Sequence, residues 1–144
     1  MSSQFIQMNV EFNAPLDTIF NQLSDHEKMG EVLNANVKRI KDGDEYVNGI
    51  GSVRRITPVP LAGFEETVTA FEPNKLIEYT ITKGTPLKNH FGRMLFSEHE
   101  GKTHLHYTIQ FQPKLPIPLA GRVVKTVLEK ILLSGLEKLA RQYK

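Results

Sequence analysis

Six strand-like segments follow one another through the middle of the chain, and only short turns separate them. They are residues 37–41, 50–57, 64–71, 76–83, 89–98 and 103–112. Turns this short leave no room for a crossover helix, so successive strands must pair antiparallel. The pattern therefore predicts an antiparallel meander. Its clearest strand is the last, in which Leu105, Tyr107, Ile109 and Phe111 alternate with polar residues.

Helical segments lie on either side of the meander. Residues 4–12 alternate like a further strand, and residues 16–23 carry an apolar stripe at helical spacing, with Asn13 as the expected cap. Ser24 and Glu27 have capping-box spacing, which predicts a second short helix. Residues 119–143 predict one long helix. The order β-α-α-β6-α indicates an α+β fold, with a curved antiparallel sheet around the C-terminal helix, and residues 1–144 suit one domain.

Composition excludes several classes of protein. The 144 residues are 40% hydrophobic and 24% charged, as in globular domains, and no apolar run reaches the ~18 residues of a membrane span. Cysteine is absent, which excludes disulfides and thiolate chemistry. The N-terminus has no secretory pattern, so we expect a cytoplasmic protein. The net charge of +2 does not favour a nucleic-acid partner, although residues 114–144 carry seven basic and two acidic residues.

Four stretches, taken in order, resemble a known superfamily: FNAPLDTIFNQLSDHEKM, GIGSVRRIT, VTAFEPNKLIEYTI and GKTHLHYTIQF. Together with the long last helix they resemble the START-like (SRPBCC) superfamily, near its polyketide cyclase/dehydrase and lipid-transport members. The resemblance implies a helix-grip fold. It also implies a cavity between the sheet and the C-terminal helix that holds a small apolar or amphipathic molecule. It does not imply one activity, because members of the superfamily include both binding proteins and enzymes.

Strand alternation indicates which side chains face such a cavity. If Val53 points inward, Arg55 does too, and pairing of residue 57 with residue 64 then places Arg55 opposite Glu66. The predicted ligand-binding residues are Arg55, Glu66, Val68, Tyr79, His90, Met94, Tyr107, Ile109 and, on the helix, Val124. A charged residue on a buried face needs a partner, and Arg55 and Glu66 would supply each other with one.

Each polar member of this set has two interpretations. Arg55 and Glu66 form either a structural ion pair in a wet cavity or an anchor for a ligand head group. His90 is either an acid or base that acts near neutral pH or a histidine that only makes a hydrogen bond. Tyr79 and Tyr107 either orient a carbonyl or hydroxyl group or fill space.

Two similar proline-rich stretches, PVPLAG at 58–63 and PIPLAG at 116–121, should lie at the same end of the meander. Their leucines, Leu61 and Leu119, either close the end of the core or form an apolar rim around a pocket entrance, and such a rim could contact a membrane. His104 and His106 share a strand face, but that face is polar and no carboxylate or cysteine spacing completes a metal site. We therefore predict no metal and no cofactor.

Three functions remain open at this point. The first is binding of a small apolar or amphipathic ligand without committed catalysis, which the lack of a nucleophile or cofactor motif favours. The second is an enzyme of the polyketide cyclase or dehydratase type that uses the polar residues of the cavity. The third is an interaction or membrane-surface protein that uses the basic C-terminal helix. The sequence indicates neither the ligand nor the oligomeric state.

Overall fold

A computed structural model describes residues 3–57, 63–84, 87–113 and 120–143. Its elements follow the predicted order of strand, two helices, six strands and helix. In chain order they are β1 (Gln4–Phe12), α1 (Leu16–Ser24), α2 (Met29–Leu33), β2 (Asn36–Lys41), β3 (Val53–Thr57), β4 (Phe64–Glu72), β5 (Leu76–Lys83), β6 (Leu87–His99), β7 (Lys102–Pro113) and α3 (Ala120–Arg141).

The seven strands form one antiparallel sheet in the order β1-β7-β6-β5-β4-β3-β2. The predicted meander is confirmed, since β2 to β7 are neighbours in sequence order. The first strand, β1, pairs with the last strand, β7, so that Ile6 lies opposite Ile109 and Met8 lies opposite Tyr107. β3 begins at Val53, three residues later than the sequence pattern predicts, because the chain from Asp42 to Ser52 is a loop.

The inner face of the sheet forms the core with the helices. β1 and β7 bury every second side chain, as the alternation predicts: Ile6, Met8, Val10, Phe12, Leu105, Tyr107, Ile109 and Phe111. α1 covers one end of this face, where Phe20 packs edge-on against Phe71 and Phe96 at centroid distances of 5.5 and 5.0 Å. α3 packs along β1 and β7 and against α2.

Gly135 determines how closely α3 approaches α2. A Cβ at this position would lie 2.7 Å from the carbonyl carbon of Val32, well inside van der Waals contact. The following residues of α3, Leu136 and Leu139, are buried in the core. The missing side chain of Gly135 thus allows α3 to pack closely against the backbone of α2.

Both short helices begin differently from the sequence prediction. α1 begins at Leu16, and its first N–H donates 3.0 Å to Glu98 Oε2 on β6, so the sheet rather than Asn13 provides the cap. Before α2, Asp25 Oδ1 accepts the N–H groups of Glu27 and Lys28, whereas Ser24 ends α1. The capping-box prediction is wrong because the side chain that accepts these bonds is Asp25, one residue later.

The proline-rich loops fall mostly outside the described residues, including Leu61 and Leu119. The strand ends that border them, Thr57 and Pro113, belong to the same end of the antiparallel sheet. No helix among the described residues combines the length and apolar character needed to cross a membrane.

Candidate ligand-binding site

A cavity of about 610 Å³ lies between the inner face of the sheet and the first half of α3. Strands β3 to β7 provide its floor and α3 provides one wall. The described residues that line it are Leu33, Ala35, Arg54, Ile56, Gly63, Phe64, Glu66, Tyr79, Ile81, Gly84, Leu87, His90, Tyr107, Ile109, Val123, Val124, Val127, Leu128, Ile131 and Leu132. Most of these are aliphatic, so an apolar molecule would be well accommodated.

α3 forms both the wall and part of the rim of this cavity. Val124 and Leu128 are half-buried, while Val123, Val127 and Ile131 line the same space and remain 60%, 52% and 41% exposed. Side chains that line a cavity and also contact solvent mark its opening. The cavity therefore opens along the first half of α3.

Arg54 and Glu66 form a buried ion pair on the cavity floor. Their side chains are only 5% and 7% exposed, and they face each other across β3 and β4. Arg54 Nε–H donates 2.8 Å to Glu66 Oε1, and Arg54 Nη2 lies 2.6 Å from the same oxygen. Burial acts to lower the pKa of Arg54, but the Glu66 carboxylate beside it raises that pKa above its usual value, so the guanidinium stays charged.

The prediction that Arg55 faces the cavity is wrong. Arg55 lies on the outer face, its side chain is 46% exposed, and it pairs loosely with Glu65 at 3.4 Å. The cause is a register one residue away from the expected one, because Ile56 rather than residue 57 stands opposite Phe64. Ile56 is buried on the inner face, and Arg54, two residues earlier on the same strand, points to the same face. The prediction for Glu66 is unaffected by this change.

Tyr79 and Tyr107 meet at the centre of the floor, where their hydroxyl groups are hydrogen-bonded to each other. The side chain of Tyr79 passes over Gly92, the residue of β6 with which Tyr79 pairs. The Arg54 guanidinium lies 5.0 Å from the centroid of the Tyr79 ring. Burial raises the pKa of Tyr79 well above its usual value and that of Tyr107 to about 12, so both phenols stay neutral.

His90 reaches the floor because β6 is irregular before it. Asn89 has a positive φ of 53°, and the register with β7 shifts between Lys88 and Phe91. The turned imidazole accepts the backbone N–H of Ile81 at Nδ1, 3.1 Å away. Burial lowers the pKa of His90, so the ring is neutral and its proton resides on Nε2. Among the described residues, Nε2 has no hydrogen-bond partner.

Of the remaining predicted residues, Ile109 and Val124 line the cavity, whereas Val68 and Met94 do not. Val68 and Met94 are buried on the inward face, as alternation predicts, but they belong to the packed core. Sequence reasoning missed Arg54. Ile56 could have indicated that Arg54 faces inward, because it is the larger apolar residue of β3 and lies two residues further on the same strand face as Arg54.

His104 and His106, the two histidines considered as metal ligands, each lie beside a polar side chain of β1. On the outer face, His104 Nε2 lies 3.4 Å from Glu11, and His106 Nδ1 lies 2.8 Å from Asn9 Oδ1. In the chain segments described above, no three His, Asp or Glu side chains are grouped as metal ligands would be.

A second buried histidine, His26, lies outside the cavity. Ser52 Oγ donates to the Gly49 carbonyl, so it accepts the Nε2–H of His26 at 2.8 Å. This leaves His26 Nδ1 buried, with no hydrogen-bond partner in the described part of the chain. Burial first, then the nearby Arg54 and Arg39 charges, lower the pKa of His26 to about 3.

These features define a helix-grip protein of the START-like (SRPBCC) superfamily. More narrowly, the chain belongs to the polyketide cyclase / dehydrase and lipid transport family, whose model matches residues 4–144. The resemblance seen in the sequence is thereby confirmed. No curated protein sequence matches the chain significantly.

Solved structures share the fold at low sequence identity. A START superfamily protein from Mycobacterium smegmatis superposes with a TM-score of 0.78 and 18% identity, over 97% of this chain and 99% of that one. Norcoclaurine synthase from Thalictrum flavum, in complex with dopamine and hydroxybenzaldehyde, superposes with a TM-score of 0.71 and 14% identity. The match covers 99% of this chain and 89% of the synthase chain. Ara h 8.0201 superposes with a TM-score of 0.70 and 15% identity, over 98% of this chain and 99% of that one.

Proposed function

We propose that the protein binds a small apolar or amphipathic molecule in the cavity under α3. The observation that carries the proposal is the cavity of about 610 Å³, which is mostly aliphatic and has one polar cluster on its floor. Ligand pockets typically have volumes of roughly 300–1,000 Å³ and combine apolar walls with a few polar groups that orient the ligand. The apolar body would lie against Val124, Leu128 and Ile109, and its polar end would lie near Arg54, Glu66 and His90.

The fold relatives support this proposal by analogy. The family description includes lipid transport, and the norcoclaurine synthase structure contains two small aromatic molecules. Neither fact identifies a ligand for this chain, because one fold carries many functions.

A fluorescent probe tests the proposal directly. N-phenyl-1-naphthylamine is uncharged and brightens in apolar surroundings, so titration with the protein should give saturable binding. Val124→Trp should weaken this binding, because the indole would occupy part of the cavity. Thr126→Trp adds the same side chain to an exposed part of α3 that does not line the cavity, and it should bind the probe normally. Equal binding by both variants would contradict the proposal.

Catalysis in the same cavity is the second candidate function. It is favoured by Glu66, because both contacts from Arg54 go to Oε1 and no described residue donates to Oε2. That oxygen could accept a proton from a bound carbonyl compound, as a cyclase or dehydratase requires. His90 is less suited to this role because its cavity-facing nitrogen already carries a proton. Conversion of a candidate polyketide by the native protein, lost in Glu66→Gln, would establish this function.

A further inference from the structure

We propose that the cavity selects uncharged amphiphiles with a hydroxyl or carbonyl head group and discriminates against carboxylates, phosphates and ammonium ions. This inference rests on the proposed binding function and specifies the chemical class of the ligand.

The charge balance of the cavity floor is the first argument. Among the described residues that line the cavity, only Arg54 and Glu66 carry charged side chains, and they neutralise each other. Arg54 Nη1 has no hydrogen-bond partner among the described residues, but a ligand carboxylate bound there would place two carboxylates around one guanidinium and leave the buried site with a net negative charge. An ammonium head group at Glu66 Oε2 would likewise place two cations on one carboxylate and leave the buried site with a net positive charge. Either ion therefore loses its hydration without gaining a free counter-charge.

The cavity floor also has hydrogen-bonding groups without partners among the described residues, and an uncharged ligand could use them. Glu66 Oε2 is an acceptor without a donor among the described residues, and His90 Nε2–H is a donor without an acceptor. The two phenols share one hydrogen bond, so one of their two protons remains free to donate. A hydroxyl group satisfies both a donor and an acceptor, and a carbonyl satisfies the donors. None of these contacts requires a charged ligand.

Three ten-carbon competitors test the selectivity of the native protein. Decanol, decanoate and decylammonium are each titrated against bound N-phenyl-1-naphthylamine at neutral pH, at concentrations below those at which they aggregate. We expect decanol to compete at concentrations at least tenfold lower than either ion. If the probe binds but decanoate or decylammonium competes as well as decanol, the selectivity is wrong and the binding function stands. If the probe does not bind, the binding function fails and the selectivity fails with it.

Charge variants test the cause of the selectivity. Glu66→Gln leaves Arg54 unpaired and should shift the preference toward decanoate by tenfold or more. Arg54→Gln should shift it toward decylammonium. The matched controls are Glu65→Gln and Arg55→Gln, which alter the ion pair at the next position on the outer face and should leave the order unchanged. Should the buried single variants not fold, Arg54→Gln with Glu66→Gln keeps the floor uncharged and must still prefer decanol; a preference for decanoate in that protein would overturn the inference.

Discussion

Tyr79 and Gly92 face each other across β5 and β6, and the phenol ring of Tyr79 occupies the space that a side chain at position 92 would need. A Cβ on Gly92 would lie 2.6 Å from Cε1 and 2.7 Å from the hydroxyl oxygen of Tyr79. The short approach allows the hydroxyl of Tyr79 to reach Tyr107 on the far side of β6.

Gly92→Ala should therefore destabilise the protein by about 1–3 kcal/mol, the usual effect of overpacking a core, because Tyr79 must move. Urea unfolding measures the change. In a Tyr79→Leu background the added methyl group has room, so the same substitution should have a much smaller effect. An equal loss in both backgrounds would show that Tyr79 is not the obstacle.

Arg54→Met should lower the free energy of unfolding by roughly 3–5 kcal/mol, because it leaves Glu66 buried without a counter-charge. The double change Arg54→Met with Glu66→Met should recover much of this loss, since it removes both charges. Denaturant unfolding of the two singles and the double gives the coupling. Arg55→Met is the control, and we expect a change within about 1 kcal/mol because that pair is exposed. Additive losses from the two singles would contradict a buried pair.

Acid should weaken the fold through His26. Its pKa in the folded protein, about 3, lies below the ordinary value of 6.5, so the unfolded chain binds the proton more readily. The stabilisation is complete above about pH 6.5 and is lost as the pH falls from there toward 3. His90 contributes in the same direction, because its pKa is also lowered by burial.

The contribution of His26 is measured by comparison with His26→Gln, which cannot titrate. Between about pH 6 and 4 the native protein should lose stability more steeply than the variant, by up to about 1.4 kcal/mol per pH unit. Carboxylates affect both proteins alike and cancel in the difference. Parallel pH profiles would mean that His26 is protonated in the folded state.

Gly135→Ala should destabilise the protein even though alanine favours a helix by about 1 kcal/mol over glycine. The added methyl group would press on the backbone of Val32 and push α2 away from α3. Ser134→Ala changes the neighbouring exposed position and should be neutral or slightly stabilising. Thermal unfolding distinguishes the two outcomes, and a rise in melting temperature for both would contradict the close packing of these helices.

The sequence predicted the element order and most faces of the fold because hydrophobic alternation is strong where one face is buried. β7 is the clearest case, with Leu105, Tyr107 and Ile109 inward as expected. β3 was ambiguous, because Val53 and Ile56 lie on opposite faces and either could have pointed inward. Only the pairing with β4 decides between them, and that register is a long-range property.

Hydrophobic alternation predicts which face of the sheet a side chain occupies, but it does not predict whether that part of the strand borders the cavity or the packed core. Val68 and Met94 point inward as predicted, yet they lie in the packed core instead of lining the cavity. α1 covers one end of the sheet through Phe20, and α3 leaves the other end open. Where a helix stops covering a sheet depends on helix packing, which the periodicity of a single strand does not encode.

The hairpin of β3 and β4 carries two adjacent arginines opposite two adjacent glutamates, one pair on each face. A slip of two residues would keep the faces but place Arg54 opposite Val68 or Phe64, and Glu66 opposite Ile56 or Ser52. Each misaligned hairpin would bury two separated charges, and a slip of one would turn Ile56 to solvent. Charge pairing and the burial of Ile56 together therefore favour the observed alignment of the two strands over these alternatives.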